Sequence, residues 1–386
     1  MQPAHKPNLF RTLGFLAAMA SAVFGSAALA QDTAEPPIYV MPKEGPVTPE
    51  KVPITNLDQI TAWIRSGHSD ASSEAFTHWN ADGEIPPVCS TCHSGAGFRS
   101  LYGLDGSQPG LPESPMPIGG VVDCDTCHNP GLAQITEVKL PNGMMHPVAN
   151  GEASCMTCHQ GRAAGAQVAA AIEGKDDDTP DADLRFINPH YATAAASMLG
   201  GYAGLGYQYP GKDYEGRFMH AKPVATCVAC HDPHSLSVNE AVCLTCHTTG
   251  TPQDIRISRQ SYDGSGDTSK GISYDVKANS DLLLKMIKDY AAQVLGAPMV
   301  YDGASYPYFF ADANGDGVID TAEGKPVAYS GWTPRMLRAV YNWKFVTADH
   351  AIFVHNPHYA LELIHDSIED LAGPLGVDMV SLGIAR

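Results

Sequence analysis

All the cysteines in this chain fall into one repeated pentapeptide, Cys-x-x-Cys-His. The copies are Cys89, Cys92 and His93; Cys124, Cys127 and His128; Cys155, Cys158 and His159; Cys227, Cys230 and His231; and Cys243, Cys246 and His247. Two thiols at this spacing add to the two vinyl groups of a haem, and the adjoining histidine becomes the proximal iron ligand. A lone Cys-x-x-Cys also serves zinc and thiol redox chemistry. Five copies that each continue into histidine, using up all 10 cysteines, argue against both. The motifs predict five covalently bound haem c groups.

Each iron has a second axial position. Of the 16 histidines, five close the motifs and His5 lies near the N-terminus. The remainder are His68, His78, His146, His190, His220, His234, His350, His355, His358 and His365, two for every iron. Methionine competes for this role, but histidine is the stronger ligand and is plentiful here. His190 and His358 each follow Asn-Pro at the start of a helical pattern, where proline fixes the backbone that aims the ring. His234 lies too near the proximal side of its own motif to reach around it, so it would serve a neighbouring iron. His68 precedes the first motif and His220 the fourth. His355 and His358 compete for one role, with His355 favoured by its Asn neighbour and the amphipathic helix beyond.

A different metal chemistry is written after the last cysteine. Asp312, Asn314, Asp316, Val318, Asp320 and Glu323 occupy positions 1, 3, 5, 7, 9 and 12 of an EF-hand loop, with Gly317 at position 6. Side-chain oxygens, the Val318 carbonyl and a bidentate Glu323 would surround calcium. Tyr306 to Phe310 reads as extended rather than helical, so a structural clamp is expected rather than a sensor. Asp263 to Asp267 resembles a degenerate second loop, without Gly at position 6 or Glu at position 12.

These groups must be held by the surrounding segments. Residues 1–30 carry Lys6 and Arg11, an apolar stretch from Leu13 to Phe24 and the small-residue run Ala28-Leu29-Ala30. That is a signal peptide with cleavage before Gln31, which predicts an exported protein, periplasmic or extracellular. No later stretch has the length of apolar sequence that a membrane span needs. Residues 31–85 read as a proline-rich strap and a first helix from Thr55 to Arg65. Residues 86–250 hold the five motifs, and residues 251–386 are a cysteine-free helical segment with the calcium loop. In that segment Ser280 is expected to cap a helix through Leu295, Thr333-Pro334 to open one towards Trp343, and Asn356-Pro357 one to about Leu371. The 29 prolines and 37 glycines predict short helices and long loops, so the expected fold is mainly α with little β, organised around closely packed haems. The formal charge of −18 disfavours nucleic acid and anionic membrane surfaces as partners.

Ser66-Gly67-His68, Ala75 to Trp79, the segment from Cys158 to Arg162, Asn188 to Tyr191 and the segment from Cys230 to His234 resemble a family of exported bacterial multihaem c-type cytochromes. Trp332 to Arg335, Ala339 to Asn342 and His355-Asn356 resemble it too. The resemblance implies low-spin electron-transfer haems with distal ligands at His68, His190, His220, His234 and His355, and other redox proteins as partners. Two other function classes stand beside electron transfer. One is a multihaem oxidoreductase of the nitrite, hydroxylamine or sulfur-oxyanion type, which needs one open iron. The other is a subunit of an extracellular cytochrome filament, built by self-association.

Overall fold

The longest helices among the described residues lie beyond the last cysteine: Ile272–Asp289, Pro334–Ala348 and Pro357–Leu375. A computed structural model describes residues 55–149 and 151–386; the leader and residues 31–54 of the strap lie outside the described residues. Thr333 caps the second of these helices by accepting a hydrogen bond from the Met336 amide at 3.2 Å, with Pro334 at the first helical position. Asn356 does the same for the third, accepting from the Tyr359 amide at 3.2 Å ahead of Pro357.

The first of them starts earlier than the sequence suggested. Ser280 is no cap but a buried interior residue, and the helix opens at Ile272. Polar residues that read as loop are buried partners instead. Asn279 donates to the Tyr262 carbonyl at 2.9 Å, and Asp275 accepts from the Tyr262 amide at 2.8 Å and from Arg256. The third helix also runs on past Gly373 and Pro374 to Leu375, where Gly376 ends it in the left-handed region. Pro374 has no amide to offer the carbonyl four residues back. That carbonyl, Asp370 O, is taken by Arg335 Nη1 at 2.8 Å, so the helix continues at no cost in unpaired groups.

The Pro334–Ala348 helix is buried on nearly every side and forms the centre of the core. Its polar side chains reach into the segment that follows the third motif. Tyr341 Oη is shared between the carbonyls of Ala163 (2.9 Å) and Leu205 (2.8 Å), and Asn342 pairs with both the amide and carbonyl of Tyr207. Arg335 and Arg338 bind Asp177 and Asp178 of the polar loop after the Gly165–Ile172 helix, and both reach Asp370. The motif region and the C-terminal helices therefore share one compact unit from Asn56 to Arg386.

Elsewhere the chain is short helices and loops. Each motif occupies one or two helical turns: Pro87–His93, Cys124–His128, Glu152–His159, Cys227–Cys230 and, in part, Glu240–Leu244. The strands form two-stranded antiparallel pairs, such as Glu137–Lys139 with Met145–Pro147. The molecule is mainly α, as expected. No helix among the described residues is long and apolar enough to cross a membrane.

Candidate haem centres

The motif histidines come together with histidines from distant parts of the chain. Ring centroids of His93 and His190 lie 5.9 Å apart, those of His128 and His234 5.9 Å, His159 and His68 6.4 Å, and His231 and His355 6.3 Å. His247, the fifth motif histidine, lies near His220: burial lowers the pKa of His220, and the charges of His247 and His355 lower it further. A metal–imidazole bond of about 2 Å on each side of one iron holds two ring centroids roughly 6 Å apart. Four motif histidines thus have one ring partner each, no partner is used twice, and these four pairs fit a bis-imidazole haem.

Local structure aims several of these rings. His93 Nδ1 lies 2.8 Å from the Ala75 carbonyl, which can only accept, so Nδ1 carries the proton and Nε2 is bare. Trp79 packs its ring against His93 at 5.1 Å. His190 sits at φ +80°, a left-handed conformation uncommon for a residue with a side chain. The Asn188 side chain holds it there, accepting from the His190 amide at 2.8 Å. His355 ends the short Ile352–His355 helix, and its Nδ1 lies 2.8 Å and 2.9 Å from the two oxygens of Asp349. Burial, and then neighbouring positive groups, lowers His159 and His190 to a pKa of about 4, keeping both neutral and able to ligate at neutral pH.

Four further histidines lie in other settings. His78 is exposed and pairs with Glu74 at 2.9 Å. His358 lies edge-on to Tyr262, and His146 is buried against Tyr202. His365, Asp366 and Glu369 offer ligand atoms within 4.8 Å of one another. Lys212 and Arg386 bind the two carboxylates of that group and neutralise it without a metal.

The cysteines bring the motifs themselves together. Cys92 Sγ donates to the Thr157 carbonyl at 3.4 Å, joining motif one to motif three. Burial raises the pKa of the Cys127 thiol of motif two, and the nearby Ser154 on the third-motif helix works against that rise. Cys227 Sγ of motif four lies 3.9 Å from Glu152 of the third-motif helix, and is near enough to Cys155 for the two thiols to shift each other's pKa. Motif four passes directly to motif five, with the Asn239 amide donating to the Cys230 carbonyl at 2.8 Å. Close approach of backbones makes this possible. A Cβ on Gly97 would stand 2.3 Å from the Ser90 carbonyl where the first motif helix meets the next helix. One on Gly200 would stand 2.5 Å from Asn356 Nδ2, beside His355.

The calcium-loop residues lie between two strands, Phe309–Ala311 and Thr321–Ala322. The buried Asp312 accepts from the amides of Asp316 (3.0 Å) and Gly317 (3.1 Å), Asn314 accepts from Asp316 at 3.1 Å, and Asp316 accepts from Val318 at 2.8 Å. Asp320 Oδ2 accepts from the Ala313 amide at 2.7 Å, closing the loop. Glu323 follows in the turn before Lys325–Pro326 at φ +54°. Of the segment expected to be extended, Phe309 and Phe310 lie in a strand, whereas Tyr306 to Tyr308 form a turn with Tyr308 at φ +75°.

Sequence reasoning missed Asp349 and Arg162. Arg162 lies close enough to the first site for its charge to lower the pKa of both His93 and His190, after burial. Asp349 stands six residues before His355, and a carboxylate so near a candidate ligand was a usable signal.

Over 79% of its length the chain is 24% identical to the C-type polyheme cytochrome OmcC of Geobacter sulfurreducens, and over 82% it is 24% identical to the C-type polyheme cytochrome OmcB of the same species. The chain is a distant relative of multihaem c-type cytochromes. It spans about half the length of these relatives, covering 45% of OmcC and 48% of OmcB. No family model and no solved structure matches it.

Proposed function

We propose that this multihaem cytochrome is an exported electron carrier with five bis-histidine haems, whose sites branch at the third motif. The observation that carries the reading is the pairing of four motif histidines with His190, His234, His68 and His355, to which the fifth, His247 with His220, is added by analogy. Bound haem supplies one-electron redox chemistry. The chain supplies everything else: paired thiols to anchor each group, neutral imidazoles on both faces, and packing that brings the sites together.

The third-motif helix touches motifs one, two and four, and motif four leads on to motif five. His234, three residues beyond His231, faces His128, which adds a second link between motifs two and four. An arrangement of this kind offers several ends to redox partners rather than a single line. A partner for every motif histidine weighs against an oxidoreductase with an open iron. In the same reading the Asp312–Glu323 loop binds calcium as a clamp.

Mass and spectroscopy test this directly. Intact mass should correspond to five haems on a chain beginning at Gln31. The oxidised protein should give low-spin EPR signals alone, and the reduced protein should not bind carbon monoxide. His190→Ala, His220→Ala or His234→Ala should each convert one haem to a high-spin, carbon monoxide-binding form, whereas His78→Ala and His358→Ala should not. A stoichiometric high-spin signal in the unaltered protein would favour the oxidoreductase instead.

A further inference from the structure

The geometry points to Asp349 as the residue that sets the fourth site, His231 with His355, to a lower reduction potential than it would otherwise have. This rests on the bis-histidine reading above.

Asp349 closes the Pro334–Ala348 helix, and its backbone carbonyl accepts from the Ile352 amide at 3.1 Å to start the turn that carries His355. Its carboxylate, 4% exposed, lies 2.8 Å and 2.9 Å from His355 Nδ1. One oxygen also accepts from the Ala351 amide at 3.1 Å. Among the described residues no lysine or arginine forms an ion pair with it, so its charge acts on the imidazole undiluted. An ionised carboxylate is purely an acceptor, so the proton sits on Nδ1 and the lone pair on Nε2. A carboxylate behind a ligating imidazole makes the ring a stronger donor and fixes its orientation.

A stronger donor stabilises the ferric state, which carries one more positive charge than the ferrous. Burial enlarges that electrostatic effect, because solvent does not screen it. Among the described residues the other sites lack this arrangement. His93 has a neutral carbonyl behind it, and Asp232 is exposed and 3.8 Å from His234. Asp349 does not touch the iron position; it is a positioning and tuning residue acting through His355.

The test uses the full haem-loaded protein. Asp349→Asn keeps the side-chain shape and the acceptor for the Ala351 amide but removes the charge. In a potentiometric titration followed by EPR, one midpoint should move upward, and the others should stay in place. Asp349→Glu, which keeps the charge, should restore a midpoint near that of the unaltered protein. The haem that moves should be the one that His355→Ala converts to high spin. Unchanged midpoints in Asp349→Asn, a downward shift, equal shifts of every haem, or an equal upward shift in Asp349→Glu would each overturn the proposal. So would a high-spin haem in Asp349→Asn, since Asp349 would then merely hold the ring in place. If His355→Ala leaves all haems low-spin, the ligand assignment itself fails, and that result is separable from any midpoint shift.

Discussion

His128 and His234 face each other with ring planes 7° apart, whereas His93 and His190 cross at 77°. The planes of axial imidazoles decide how the iron d orbitals that point between the ligands are split. Parallel planes act on the same orbital and separate the pair; crossed planes act on both and leave them close in energy. The oxidised protein should therefore show one well-resolved rhombic low-spin signal from the second site and a highly anisotropic one from the first. His234→Ala should delete the rhombic signal and His190→Ala the anisotropic one. Loss of the opposite signal in either variant would show that the rings rotate when haem is bound.

Tyr341 tests how firmly the C-terminal helices hold the motif region. Its hydroxyl is fully buried and serves two carbonyls of the segment after the third motif. Tyr341→Phe keeps the ring but strands the Ala163 carbonyl, whereas the Leu205 carbonyl keeps the Gly165 amide at 3.0 Å; the loss should cost about 1–3 kcal/mol. Chemical denaturation followed at the haem band measures it. A variant as stable as the parent would mean that another group takes over the Ala163 acceptor.

Asp366 makes stability sensitive to acid. Burial alone would raise its pKa, but hydrogen bonds from His365, Arg386 and Tyr214 outweigh burial and hold it well below its ordinary 3.8. A depressed carboxylate stabilises the folded state above the unfolded pKa, and the contribution is lost as pH falls below about 3.8 towards the folded value. Asp366→Asn leaves Arg386 and Lys212 short of their partner and should cost about 3 kcal/mol at neutral pH. The gap between parent and variant should narrow on acidification below pH 4. Thermal melts across that range decide it; a constant gap would assign the loss to packing.

Calcium should act on stability and not on colour. A ligand that binds only the folded state raises its stability by mass action, so chelation should lower the melting temperature. Glu323→Gln, which weakens the last ligand, should reproduce that loss without chelator. The haem spectrum at room temperature should not change. A reversible shift of a midpoint on chelation would make calcium a regulator of electron flow rather than a clamp.

Local chemistry was legible in the sequence to a large degree. The capped helices at Thr333 and Asn356 rest on neighbours within a few residues, and each was found where expected. The helix around Ser280 was misplaced because Asp275 and Asn279 are polar yet buried, paired with Tyr262 from outside the helix. His68, His190, His234 and His355 lie opposite motif histidines, while His358, also singled out by its Asn-Pro context, packs on Tyr262; which faces which was hidden. His159 meets His68 from before the first motif, and His231 meets His355 from beyond the last. Those pairings are made by packing between distant segments, which no local pattern encodes.

The thiols of Cys92 and Cys158, and of Cys155 and Cys227, are free and lie near enough across motif boundaries for each to shift the other's pKa. In an oxidising compartment such neighbours are disulfide partners in waiting. Were the bare polypeptide to reach this packing, the two crosslinks would consume one thiol of motif one, both of motif three and one of motif four. Three of the five attachment sites would be lost in a correctly folded chain. Thioether formation before tertiary closure, while the motifs are still apart and reduced, would avoid that loss and make the native packing a product of maturation rather than its template.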